Sequence, residues 1–155
     1  MPGTVETRLE KAGIKLPQAA APAGNYVPYV VSGNLVFVSG QLPNKDGQLA
    51  VKGKLGADVS LEDGQEAARL CALNLLAQLK AACGDLDKVT RVVKITGFVA
   101  STADFIQQPA VINGASNLMA DAFGEAGKHA RVAVSAPTLP LGAAVEVDGI
   151  FEIRG

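Results

Sequence analysis

Hydrophobic spacing divides the chain into segments of different period. In "YVVSGNLVFVS" two β-branched runs flank Gly33-Asn34. A two-residue turn between such runs predicts a hairpin, Tyr29 to Ser32 and Leu35 to Ser39. Beyond Ser60 the period changes. Ala68, Cys71, Leu75, Leu79 and Ala82 recur at helical spacing, Ser60 and Asp63 stand three apart as in a capping box, and Gly84 supplies a stop. "KVTRVVKITGFVAS" is β-rich and predicts one long strand through Val99. A second helix is expected over 109–123, with Pro109 in its first turn and Gly124 past its end. "ARVAVSAPTLPLGAAVEVDG" then reads as two apolar strands around a proline-bearing turn, and the polar loop before Ser60 has room for one short strand near Leu49 to Val51.

The resulting order, β-β-(β)-α-β-α-β-β, predicts an α+β sheet with both helices on one face. The other face is then uncovered. If Val36, Val38, Val93 and Ile95 form it, it is too apolar to meet water, and a homo-oligomer is expected to cover it. Residues 1–25 read as an arm, a short helix in "VETRLEKAGIKLP" followed by a Pro/Ala/Gly linker, ahead of an α+β domain over 26–155. The arm is expected to be dispensable for the core fold.

With 155 residues, 48% hydrophobic and 19% charged, the chain is one globular domain by length. A net charge of −1 lacks the basic excess that binding a phosphate backbone needs, so no nucleic acid partner is expected. The charged N-terminus does not read as a signal peptide, no apolar run is long enough for a membrane span, and a cytoplasmic location is expected. Cys71 and Cys83 fall in one predicted helix, about 18 Å apart at the helical rise, too far to bridge. A single histidine leaves no cluster for a metal.

Few residues carry candidate chemistry. His129 reads as a loop histidine ahead of a strand, with no serine or cysteine motif to serve. Asp85 and Asp87 read as solvated or capping residues. "INGASN" places Asn113, Ser116 and Asn117 on a helix, where capping or a ligand contact are both open. Arg131 and Glu146 stand out, a cation and a carboxylate inside apolar strands. Alternation puts Arg131, Ala133 and Ser135 on one face, and Glu146 with Asp148 opposite Val145 and Val147. If the two strands pair, Arg131 and Glu146 can form a cross-strand ion pair. Otherwise Arg131 is a fork for a ligand carboxylate. Pattern leaves both readings open.

"SGQLP" after the hairpin and "ARVAV…LP…VEVDGI" at the C-terminus, with this element order, resemble the RidA family, also called YjgF-like or L-PSP endoribonuclease-like proteins. The resemblance covers roughly residues 26–153, with a longer N-terminal arm than the archetypal deaminases and Ala133 where many active members carry cysteine. It implies a fold like trimeric chorismate mutase, a homotrimer with ligand sites in the clefts between subunits. The implied activity is hydrolysis of 2-imino acids and their enamine tautomers to 2-keto acids and ammonia, without metal or cofactor. By position it makes Arg131 the carboxylate clamp, Glu146 the acid near the imine, Gly40 a backbone contact, and Tyr29 and Asn117 substrate contacts. A non-catalytic trimer that binds small carboxylates is the alternative. An endoribonuclease, the family's older label, is argued against by the single histidine and the acidic balance.

Overall fold

A computed structural model describes residues 3–22 and 24–155, so Met1, Pro2 and Ala23 of the arm lie outside the described residues. The elements are α1 (Thr4–Lys11), β1 (Tyr29–Ser32), β2 (Leu35–Gln41), β3 (Asn44–Lys45), β4 (Gln48–Leu49), α2 (Leu61–Cys83), β5 (Val89–Ala100), α3 (Gln108–Phe123), β6 (Ala130–Ala136) and β7 (Val145–Ile153). Gly33 takes φ 61°, the left-handed conformation that the tight β1–β2 turn requires. Ser60 accepts the Asp63 backbone N–H at 3.1 Å and caps α2. The short strand expected near Leu49 is half of the small β3–β4 hairpin.

The main sheet has the order β1-β2-β7-β5-β6. This corrects the pairing left open for the last two strands: β5 lies between β6 and β7, so they do not pair. The cause is the β5–α3–β6 crossover, which lays β6 parallel on the outer edge of β5, while β7 enters antiparallel between β2 and β5.

Both helices lie on one face, α2 over β2 and β7, α3 over β5 and β6. Two glycines let them come close. A Cβ on Gly97 would overlap Ile112, and one on Gly114 would overlap the Gln65 carbonyl of α2. This close seating brings the middle of α3 over β6. Val36, Val38 and Ile95 sit beneath the helices and are buried, so they are not the open face, although Val93, at a bulge in β5, is exposed. The open face instead carries Val30, Phe37, Val132 and Val134 with Lys94, Thr96, Glu146 and Asp148. Val30, Val132 and Val134 are each at least 40% exposed.

The arm does not trail. Val5, Leu9 and Ile14 are buried in the same core cluster as α2 and α3. Asp87 caps α1 by accepting the Thr4 and Val5 N–H groups at 2.8 and 2.9 Å, and Gln78 donates to the Ala20 carbonyl at 2.7 Å. Both cysteines lie in α2, free and buried, and burial raises both thiols above their ordinary range. No helix among the described residues is long and apolar enough to cross a membrane.

Candidate functional site

The register places the candidate residues in relation to one another. Tyr29, Val38, Gly149, Ile95 and Arg131 form one row across the sheet, all on the helix-covered face. Tyr29 is at one edge of that row and Arg131 at the other, about 19 Å apart at four strand spacings. Glu146 pairs with Phe98 and faces the opposite, open side. Arg131 and Glu146 therefore form no cross-strand ion pair in one chain, and no acid pairs with Arg131 among the described residues.

Arg131 is instead held by neutral acceptors from α3. Its Nη1 donates to Asn113 Oδ1 at 2.8 Å and to Ser116 Oγ at 3.1 Å, and its Nη2 donates to the Pro109 carbonyl at 3.3 Å. These bonds use both Nη1 hydrogens and one on Nη2. The Nε–H and the second Nη2 hydrogen are not taken by any described residue, and they are the donors from which a side-on carboxylate fork is built.

The open face carries the acids. A register shift between Val38 and Gln41 sets Gly40 against Glu146, and a Cβ there would overlap the carboxylate. Gly40 leaves the room that Glu146 occupies. Burial and the nearby Asp148 push the Glu146 carboxyl above its usual range. Burial does the same to Asp148, partly offset by Thr96 and Lys94. A carboxyl that binds its proton more tightly in the folded state favours folding below its unfolded pKa. That contribution is lost as pH rises through the raised folded values. Asp148→Asn is therefore expected to melt at higher temperature than the wild type at neutral pH, with the gap shrinking as pH falls through the raised folded value. Melting curves across this range check it, and a gap that widens on acidification contradicts it.

Of the remaining candidates, Tyr29 packs against α2 and donates to the Ala81 carbonyl at 3.4 Å. Asn117 stands apart from Arg131. It lines a groove between α2 and α3 with Glu62, Glu66, Arg69 and Asp121, and it is Asn113 that reaches Arg131. His129 is a loop residue directly before β6, as expected, and it also joins the Arg131 group, with Nε2 at 2.9 Å from Ser116 Oγ. The available signal was its place two residues before Arg131, hence on the same side of an extended chain. Asp85 and Asp87 both cap, as one of their two readings had it.

Residues 6–152 match a family described as "YjgF/chorismate_mutase-like, putative endoribonuclease". The chain belongs to the YjgF family. Protein TCP17 of Trypanosoma cruzi is 53% identical over 153 residues, 98% of this chain and 96% of its own length. A crystal structure described as a "putative endoribonuclease" from Shewanella oneidensis is 40% identical, with a TM-score of 0.95 over 97% of this chain and 100% of that one. Escherichia coli TdcF, solved with bound serine, is more distant at 27% identity and a TM-score of 0.65, covering 89% of this chain and 94% of its own. The YjgF match supports the RidA-like resemblance and the chorismate mutase-like α+β fold, and it begins at residue 6, within the arm. Nothing in it assigns a reaction to Arg131.

Proposed function

We propose that the protein binds small 2-imino and 2-keto acids through Arg131 and hydrolyses the imino forms to 2-keto acids and ammonia. One observation carries this reading. Arg131 is a cation held by three uncharged acceptors, with two donors unspent and no acid beside it among the described residues. A structural ion pair would use the arginine up, whereas unspent donors on a cation suit an anion. The serine bound to TdcF is a small amino acid with a carboxylate, which fits the size class.

Arg131 and Glu146 face opposite sides of one sheet, so one chain alone does not bring them together. The proposed site lies where two copies meet in a homotrimer, Arg131 from one and Gly40 with Glu146 from the next. The exposed valines of the open face supply apolar surface for that assembly. In the cleft, Arg131 would hold the substrate carboxylate and fix the imine carbon. Water adds to that carbon as the C=N π pair moves to nitrogen, and Glu146 accepts the proton water loses. Glu146 returns that proton to nitrogen to give a carbinolamine, and transfer of the hydroxyl proton to nitrogen as the C–N bond breaks leaves a carbonyl and ammonia. A carboxyl raised by burial suits this exchange.

A second reading, a binder without turnover, is favoured by the same arrangement, since the free donors of Arg131 could hold an anion with no carboxylate base beside them among the described residues of one chain. RNA cleavage has less support, since net charge is −1 and the open face presents two carboxylates. The test is to generate a 2-imino acid in situ and follow 2-keto acid release. Release faster than in buffer supports the deaminase. Release at the buffer rate, with 2-oxobutyrate still bound, leaves the binder.

A further inference from the structure

The Arg131 guanidinium is not gripped by isolated groups but by a directional chain that starts at the backbone of Gly127. His129 Nδ1 lies 2.6 Å from the Gly127 carbonyl oxygen. A carbonyl only accepts, so Nδ1 carries the hydrogen, and in the neutral ring Nε2 is left as an acceptor. Ser116 Oγ, 2.9 Å from Nε2, then donates its single hydrogen to the ring. That choice turns the Ser116 lone pairs toward Arg131, whose Nη1 donates to Oγ at 3.1 Å. Without the ring acceptor the hydroxyl is free to rotate and present its hydrogen to the cation.

We propose that His129 and Ser116 are positioning residues for Arg131. The ring fixes the hydroxyl, and the hydroxyl and Asn113 Oδ1 together fix Nη1 and hence the plane of the guanidinium. The Nε edge is thereby held ready for a carboxylate. Neither residue touches the ligand. The geometry also explains why a histidine so close to a serine is not a nucleophile's base here: the oxygen that would attack is occupied by the arginine. The proposal rests on the reading of Arg131 as a carboxylate clamp.

The assay is calorimetric binding of 2-oxobutyrate, with 2-oxobutyramide as the uncharged control and melting temperature measured alongside. Ser116→Ala is expected to weaken 2-oxobutyrate binding roughly ten- to 150-fold, the range for losing one hydrogen bond to a charged group, and to leave the amide unaffected. Ser116→Thr keeps the hydroxyl and should recover most of that loss. His129→Phe, which removes the acceptor, should act like Ser116→Ala, whereas His129→Gln offers an amide oxygen in place of Nε2 and should recover much of it. The double variant Ser116→Ala with His129→Phe should bind about as the Ser116→Ala protein does, because one acts through the other. Multiplicative losses in the double variant overturn the relay. So does Ser116→Ala binding as the wild type while Arg131→Ala has lost the ligand. If Arg131→Ala itself binds 2-oxobutyrate undiminished, the clamp fails, and the relay with it. Should His129→Phe not fold, the Ser116→Ala and Ser116→Thr pair decides.

Discussion

Arg131→Ala is expected to lower kcat/KM for a 2-imino acid roughly 30- to 1000-fold, with little change in melting temperature. The first half follows from losing a charge-assisted, bidentate contact in a desolvated cleft, about 2–4 kcal/mol. The second half follows from what holds the side chain. Its partners are the Asn113 amide, the Ser116 hydroxyl and the Pro109 carbonyl. Water can replace the guanidinium at partly exposed groups, and no carboxylate is left unpaired. Had Arg131 and Glu146 been an ion pair, the alanine variant would have stranded a half-buried acid and melted early. Arg131→Lys should restore only part of the activity, because an ammonium cannot present two parallel donors. Hydrolysis and melting are to be measured on the same preparations. A well-folded Arg131→Ala protein that hydrolyses at the wild-type rate removes the clamp.

The features bearing on that prediction were unevenly legible in the sequence. Alternation separated Arg131 from Val132 and Glu146 from Val147, and the register agrees. Ser60, Asp63, Gly84 and Gly33 marked helix and hairpin ends because their conformational preferences are local. Strand order is not local. Nothing between Ala130 and Ile153 says that β5 will lie between the last two strands, since that follows from where α3 carries the chain. The same limit inverted the faces of the sheet. A period of two states which residues share a side, but not which side the helices choose. Val36, Val38 and Ile95 were therefore placed outward and are buried. Choosing between Asn113 and Asn117 needed the rotation of α3 on the sheet, which close contact at Gly97 and Gly114 sets. The acceptors around Arg131 come from a helix more than ten residues upstream, and no spacing in the chain reveals them.

Leu9→Ala is expected to cost about 2–5 kcal/mol, the range for emptying a buried leucine site, and so to lower the melting temperature by about 5–15 °C for a chain of this size. Leu9 is 2% exposed and lies between Val5 and Ile14 in the cluster that α2 and α3 share. The arm is also tied at both ends of α1. Asp87 holds the first turn, where Lys80 and Glu6 also pair at 2.5 Å, and in the last turn Arg8 donates to the Ala122 carbonyl of α3 at 3.5 Å. The two N–H groups of Val5 and Thr4 hold the Asp87 carboxyl below its ordinary range. Its contribution is therefore present above the unfolded pKa and lost as pH falls through the folded one, so the arm should loosen in acid. A physical ceiling makes the experiment informative. If the arm detaches as a unit before the core unfolds, no substitution within it can cost the core more than the docking free energy. Leu9→Ala and a chain shortened to begin at Tyr26 would then melt together with the wild type, and only protease sensitivity near Pro17 would change. If the arm is part of the core, both melt early, and the shortened chain melts earliest because it exposes the α3 surface that Val5 and Leu9 cover. Equal melting of all three proteins would return the arm to the dispensable role its composition suggests.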